Sequence, residues 1–388
     1  MRAPFARLQD PGEKLGGATM KPVLGAAGIA LALVLCGAPS IGGVETVVRV
    51  LLADDVTAVP VTASSHVGEV EAAASGSGLR LSGVPVAAPL RVASGPAGSV
   101  RAGTWQVRGA VVISRSGSGR ALRVVNHIGL EDYIAGILGR ELYPGWEPET
   151  LKAQAIVART YALHELRRDR AETGPDRGFD LQATTANQAY GGLPSETASA
   201  RRAVSETHGQ VLTHRGEPIL AVYHSASGGR TASSEEVWGQ SLPYLGSVAV
   251  ADEQDSPDTY WRASISRTKL GRALSPLGVR LGELEGLEVA GRTGSGRARD
   301  VTVRGRKRDL KIDARDLRRA LGMNVIRSTL FEIRREGPEF VFVGSGHGHG
   351  VGLSQWGAQA MAKRGASHRE ILEAFYPGTD LADGWTAQ

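Results

Sequence analysis

What most constrains this chain is the change of pattern at Leu130. From Leu130 to His164 the apolar residues recur at helical spacing, whereas everything ahead of that run reads as strands. VETVVRVLLA, LRLSGVPV, GTWQVRGAVVIS and ALRVVN, between Val44 and about Asn126, are short and rich in Val and Leu. Gly, Ser and Pro break them, and SGSG and GSGR are turns. Beyond the helical run, VLTHRGEPILAVYH reads as a hairpin turning at Arg215-Gly216-Glu217, and strands return from Leu287 to Leu310. ARDLRRALG, SQWGAQAMAKRG and SHREILEAFYPG read as helices. Ser367 with Glu370 three residues on makes a capping box, and Gly365 and Gly378 are C-terminal stops. Runs of strands and runs of helices, without strict alternation, predict an α+β fold. The expected organisation is a β-rich N-terminal region over 45–125 and a mixed helix and strand domain over 126–380, with no internal repeat.

Composition narrows the class. With 388 residues, 41% hydrophobic and 22% charged, the chain is neither disordered nor collagen-like, and one to three domains are expected. A net charge of 45 − 40 = +5 is mildly basic, which permits an anionic polymer as partner and does not call for nucleic acid. Cys36 is the only cysteine, which excludes an intrachain disulfide and a thiolate zinc site. Residues 22–44 carry no charge and follow Lys21, the pattern of a signal peptide or an N-terminal anchor over 1–44. Met20 is an alternative start, and cleavage is expected near Ala38 to Ser40. Leu35 stands where lipidation of Cys36 would want a small residue. The remainder is expected outside the cytoplasmic membrane, touching it only through this segment if that is retained.

Within LEDYIAGILGREL, Leu130, Ile134, Ile137 and Leu138 fall on one helical face and Asp132, Gly136 and Arg140 on the other. Glu141 lands in the middle of the apolar stripe. A carboxylate there is either partly desolvated or paired. Desolvation raises its pKa, as a general acid near neutral pH requires. The next helix opens with Pro148 and Glu149, both favourable at a helix start. Its stripe of Leu151, Ala155, Ala158, Ala162 and Leu166 lets another element come close. Lys152 and Arg159 lie on it, and a buried ion pair of either with Glu141 is the alternative to a catalytic role.

Two further segments hold polar chemistry. SGHGHGVGLSQWGAQAMAKRG, 345–365, is a glycine-permitted tight loop leading into a helix with Gln355 and Trp356. His347 and His349 are two apart, and His224 in YHSASGG is a conceivable third metal ligand. No HExxH or matched acidic motif accompanies them, so they are expected to line a groove as hydrogen-bonding groups, with no metal and no cofactor. In a polysaccharide site, Gln, Trp and His supply hydroxyl contacts and a stacking face. YHSASGGRTASSEEVWG, 223–239, lacks the glycine two residues ahead of Ser225 or Ser227 that a nucleophile elbow needs. The basic run 296–319 has interspersed Asp and reads as a solvated hairpin and helix face.

ELYPGWEPETLKAQAIVARTYAL, then YHSASGGRTASSEEVWG with PYLGSV, then GHGHGVGLSQWGAQAMAKRGASHREILEAFYPGT together resemble the stage II sporulation protein D / LytB family. The likeness spans about 126–380, and the β-rich lead-in also fits. It implies a peptidoglycan lytic transglycosylase whose catalytic glutamate falls on Glu141. Some members hold zinc through Cys and His between the first two motifs. Here that segment, GFDLQATTANQAYGG, has neither, so no metal carries over. The family also includes modifiers or enhancers of cell-wall amidases, which leaves a non-catalytic wall-binding role with an amidase partner as the alternative. A glycosidase that uses water needs two carboxylates, whereas a lytic transglycosylase closes an anhydro ring with the muramic sugar's own hydroxyl and needs one. Arg159, His224, Ser225, His347, His349 and Gln355 are the candidate groups for sugar contacts or for fixing Glu141.

Overall fold

The Val- and Leu-rich segments ahead of Leu130 fold into two sheets, in a computed structural model that describes residues 46–385 except 65–69, 77, 96–97, 173–176, 185–186 and 278–282, with backbone alone for 169–172. The uncharged segment 22–44, for which an export role is expected, and Cys36 lie outside the described residues. One sheet runs in the order Leu181–Gln182, Val47–Val56, Leu122–Gly129, Ala110–Arg115, Leu90–Ala93. The other runs Val84–Val86, Gly78–Leu81, Val70–Ser75, Ala58–Ala63, Val100–Ala102, Trp105–Val107. In the first strand Val48, Val50 and Leu52 are buried while Val47 is open, the period of two that a half-buried strand imposes.

Eight helices follow among the described residues: α1 (Leu130–Glu141), α2 (Pro148–Glu172), α3 (Ala198–Glu206), α4 (Ser234–Trp238), α5 (Arg267–Leu274), α6 (Ala314–Leu321), α7 (Gln355–Lys363) and α8 (His368–Phe375). The fold is α+β, with the strand-rich part at the N-terminal end. The expected boundary at 125/126 falls inside the strand Leu122–Gly129, which runs directly into α1. Leu181–Gln182, from the later region, pairs in parallel with Val50 and Leu51 of the first strand. One core therefore runs from Val48 to Val211 across both regions.

α2 is buried on two sides. Leu151, Ala155, Ala158, Ala162 and Leu166 pack into that first core with Ile134, Ile137 and Leu138 of α1. Ala153, Ile156 and Val157 enter a second core with Leu353, Ala358 and Phe375 from around α7 and α8. The small-residue stripe gives the close approach expected of it. On α1, Asp132 and Arg140 lie toward the outside as expected, but Gly136 does not: a Cβ there would sit 2.6 Å from the Tyr190 ring. The hairpin turn uses Arg215 and Gly216, at φ 55° and 80°, with His214 opposite Glu217. The capping box at Ser367 and Glu370 is formed.

A third core is confined to residues between Trp261 and Phe342. Two three-stranded sheets build it, Trp261–Ser266 with Glu339–Gly344 and Phe331–Glu336, and Leu284–Arg292 with Ala298–Gly305 and Asp309–Asp313. α5 and α6 pack with them, contributing Leu270, Leu274, Leu317 and Leu321. This satellite unit was not separable in the sequence from the domain that carries it.

Arg159 is fully buried in the middle of α2. It donates to both oxygens of Glu131, at 2.8 and 2.6 Å, and to the Gln210 carbonyl at 3.1 Å. This bidentate pair ties the start of α1 to α2. Replacing Glu131 by Ala strands a buried guanidinium, so we expect unfolding stability to fall by about 3–5 kcal/mol. Chemical denaturation of Glu131→Ala against the parent measures it, and a loss below about 1 kcal/mol contradicts the assignment.

Candidate active site

Three segments meet at the C-terminal end of α1. The first is α1 itself, which delivers Glu141 at its last turn. The second is the stretch 187–192. It is pinned by Tyr190, whose hydroxyl donates to Asn126 Oδ1 at 2.9 Å, and by the Gly191 N–H to the Gly136 carbonyl at 3.0 Å. Gln188 adds a bond from its amide to the Ala158 carbonyl, 3.2 Å, and accepts from the Tyr133 hydroxyl at 3.2 Å. So held, the stretch aims the Ala189 N–H at Glu141 Oε1, 3.0 Å away. The third is a parallel bridge pairing Tyr223 with Leu353 and His224 with Ser354, which sets Tyr223 beside the start of α7.

Glu141 is partly buried and, among the described residues, makes no ion pair. Lys152 is held by Glu149 at 2.9 Å and Glu206 at 2.8 Å, and Arg159 by Glu131. The buried-pair alternative therefore does not form. Burial pushes the Glu141 carboxyl up. The Ala189 N–H, the Tyr223 hydroxyl, the Gln355 amide and the nearby Arg140 charge oppose that rise without cancelling it. Tyr223 stays a phenol, its pKa raised well above the usual value by burial and then by the Glu141 charge. The Tyr223 Oη and Gln355 Nε2 are out of solvent and complete no hydrogen bond with a protein partner. Two buried donors with spare capacity thus stand next to a protonatable carboxyl.

Behind this front, a buried carboxylate organises the Ser-Gly-Gly loop. Glu253, 7% exposed, accepts from the N–H groups of Ser227 at 2.9 Å, Gly228 at 2.9 Å and Gly229 at 3.1 Å. It also accepts from Ser227 Oγ at 2.6 Å and from Ser354 Oγ. Ser354 is the N-cap of α7. Gly352 has φ +70°, and a Cβ there would sit 2.1 Å from the Val222 carbonyl, so only glycine lets the two strands of the bridge approach.

The histidines serve this scaffold. His349 Nδ1 accepts from the Val351 N–H at 3.0 Å, which places its proton on Nε2, facing the Tyr223 carbonyl. Burial pushes His349 down to about 4, so it is neutral at physiological pH. His224 is buried with Nδ1 3.1 Å from the Val351 carbonyl, and its Nε2 has no partner. His347 Nδ1 lies 3.1 Å from Asp258 Oδ2, and Arg327 takes the other oxygen of Asp258. Among the described residues, no group of three His, Cys, Asp or Glu side chains gathers as a metal site would require.

Of the residues singled out in the sequence, Glu141 and Gln355 come together, and His349 adjoins them through the Tyr223 carbonyl. Ser225 accepts the Trp356 N–H at its carbonyl, 3.0 Å. Arg159 is corrected: wholly buried against Glu131, it has no surface to offer a sugar. Tyr223, Gln188, Ala189 and Glu253 went unremarked. Strand alternation could have found Tyr223, because residues 223 and 225 share one face and His224 takes the other.

Two outcomes follow. Glu253→Ala leaves four or more buried donors unmatched and should cost about 3–5 kcal/mol, read as a large drop in Tm by calorimetry. A near-unchanged Tm would remove Glu253 from this role. For Glu141, a folded-state pKa above the ordinary 4.5 means the folded chain keeps a proton that the unfolded chain has released. Stability then falls as pH rises from about that ordinary value through the raised one. Melting of Glu141→Gln beside the parent across pH should show the variant gaining on the parent over that window. A parent that gains on the variant instead reverses the sign of the shift.

Comparisons with known proteins bear on the same segments. A family model described as "Stage II sporulation protein" matches residues 118–214, and a domain of unknown function (DUF8618) matches 250–352. Stage II sporulation protein D of Bacillus subtilis (strain 168) is 34% identical, over 67% of this chain and 76% of that protein. The stage II sporulation protein D of Bacillus amyloliquefaciens is 32% identical, over 67% of this chain and 76% of that one. The amidase enhancer of Bacillus subtilis (strain 168) is 30% identical over 64% of this chain, which spans only 40% of that longer relative.

Proposed function

Because the chain belongs to the stage II sporulation protein D family, we propose that it is a peptidoglycan lytic transglycosylase with Glu141 as its single general acid and base. The observation that carries this reading is a carboxyl with a raised pKa, no cationic partner, and two unsatisfied buried donors beside it. Such a carboxyl holds its proton to higher pH than an ordinary glutamate, as the first half-reaction needs. Glu141 protonates the glycosidic oxygen as the bond from the muramic anomeric carbon breaks. The primary hydroxyl of the same sugar attacks that carbon and closes the anhydro ring, and the Glu141 carboxylate takes up the hydroxyl proton. The enzyme ends in the protonation state in which it began, and no water enters. The nucleophile is already attached to the reacting sugar, so proximity is built into the substrate. In this reading the Tyr223 hydroxyl and the Gln355 amide, both out of solvent beside Glu141, steady the carboxylate form, and the Ala189 N–H keeps the carboxyl oriented. The segment 22–44 would carry the chain across the cytoplasmic membrane to its substrate.

A second reading is a non-catalytic wall protein that stimulates an amidase, favoured by the name of one relative. The two separate on one variant. Glu141→Gln keeps shape and hydrogen-bonding capacity but delivers no proton, so release of anhydro-muramic ends from purified glycan strands, followed by mass spectrometry, should fall by ~10²–10⁴. Its Tm should hold, because no buried cation depends on Glu141. A stable variant that still releases anhydro ends at the parent rate removes the assignment. A parent that releases none while stimulating an amidase favours the second reading.

A further inference from the structure

The satellite unit concentrates positive charge. Between Trp261 and Phe342 stand 19 Lys and Arg against 10 Asp and Glu, 19 − 10 = +9, whereas the whole chain carries +5, so all other residues together carry 5 − 9 = −4. The acids of the unit are too few to give each cation a partner of its own, and several are taken on the sheets: Arg262 holds Glu336, Arg292 holds Glu332 and Arg304 holds Glu288. Two cations of α5 are left over. Among the described residues, the Lys269 ammonium and the Arg272 guanidinium make no ion pair or hydrogen bond. They stand at i and i+3 of one helical face, with Ala273 at i+4 and Pro276 following in the turn after α5. Asp316, Arg319 and Ala320 repeat the i, i+3, i+4 spacing on α6. These two faces line a groove of about 490 Å³, to which the buried Leu321 and the half-buried Ala273 and Ala320 give an apolar lining. The opposite faces of both helices, through Leu270, Leu274 and Leu317, are anchored in the third core, so the groove has fixed walls. Arg319 meets Asp316 at 2.7 Å, but as an exposed pair on one helix that contact is weak and readily exchanged for another anion.

Unpaired cations over a lining of methyl-sized apolar groups suit a ligand that carries carboxylates and small apolar side chains together. A phosphate polymer or a bare sugar would leave Ala273, Ala320 and Leu321 uncovered. A short acidic peptide with alanine-sized side chains satisfies both: its carboxylates take charge-assisted hydrogen bonds from the cations, and its methyl groups cover the lining. We propose that the α5–α6 groove is a peptide site of the satellite unit, which takes the carboxylate-bearing stem peptide of a wall strand through Lys269, Arg272 and Arg319. The identity of the ligand rests on the peptidoglycan reading, while the groove stands apart from the chemistry at Glu141. The excess of +9 on the unit raises the local concentration of such an anion. The groove grips the strand by its side branch, so it acts on KM for peptide-bearing strands and leaves the proton transfers to Glu141.

The test titrates the full mature chain by calorimetry with a sugar-free probe, N-acetyl-L-Ala-γ-D-Glu-meso-diaminopimelyl-D-Ala-D-Ala, and measures KM for release of anhydro ends from strands with and without their peptides. The parent should bind the probe, and more weakly as salt rises. Lys269→Ala combined with Arg272→Ala should weaken binding by about tenfold and raise KM for peptide-bearing strands to match, with KM for bare strands unchanged. Both side chains are exposed and unpaired, so the double variant should melt as the parent does. Arg304→Ala removes an exposed cation of the same unit that does not line the groove, and should bind the probe as the parent does. A parent that cleaves strands but does not bind the probe overturns the site and leaves the catalytic reading standing. A double variant with parent affinity or parent KM also overturns the site, as does an equal loss in Arg304→Ala, which reduces the attraction to net charge. Binding of poly(glycerol phosphate) that the double variant abolishes, with no binding of the peptide, overturns it in favour of a phosphate polymer. A parent that binds the probe through the groove yet releases no anhydro ends keeps the site and removes the catalytic reading alone. A parent that neither binds the probe nor cleaves strands removes both.

Discussion

The Glu253 carboxylate is the contact on which the functional face depends. Its two oxygens collect three backbone N–H groups of the 227–229 loop and the hydroxyls of Ser227 and Ser354. Such convergence on a charged acceptor is strong because every donor is charge-assisted and shielded from water. It joins the loop after Tyr223 to the N-cap of α7, and α7 begins with Gln355 and Trp356. Arg297 adds to the same knot, its guanidinium donating to the carbonyls of Ser227 at 2.7 Å and Arg230 at 2.9 Å. Burial lowers the Arg297 pKa to about 10, which still leaves it charged at neutral pH. The groups nearest Glu141 are thus placed by a carboxylate and a guanidinium that belong to the support behind them.

Glu131 and Arg159 do the corresponding work on the other side. They fix α1 to α2 inside the first core, so the end of α1 emerges at a set angle and Glu141 with it. The two charged pairings differ in what they spare. By satisfying Arg159 and Lys152 elsewhere, the fold leaves Glu141 without a counter-charge in a partly desolvated place. A lone carboxyl there is a loss for stability and a gain for acid chemistry.

Much of this could be read from residue order alone. The Val- and Leu-rich strands, the start of α2 at Pro148, the capping box at Ser367 and the position of Glu141 on an apolar stripe are local patterns, and local patterns survive into the fold. The partners were not legible. Whether Arg159 faced Glu141 or Glu131 turned on the packing of α1 against α2, since both acids lie on α1, ten residues apart. Gly136 looked solvent-facing because its neighbour Tyr190 arrives from more than fifty residues away. Glu253 had no periodicity to betray it. Its five donors come from two distant segments, and no spacing rule connects position 253 with 227 and 354.

The satellite unit leaves the main body after Glu253 and returns at the Gly-rich loop, and both exits lie within the same knot. The Gly346 N–H donates to the Asp258 carbonyl at 2.8 Å and Ser354 Oγ donates to Glu253, so the two ends of the excursion are fastened to each other. A chain excursion whose ends already touch behaves as a closed loop, and the entropy of closing a loop grows only with the logarithm of its length, about 0.6 kcal/mol per doubling. Its core is its own, drawn wholly from residues between Trp261 and Phe342. The unit is still tied to the main body, because Arg297 and Ser295 within it bond to the Ser227 and Arg230 carbonyls and to Glu236. A core that folds as its own layer thus hands one guanidinium back to the loop behind the chemical front, so the two share a joint rather than a boundary.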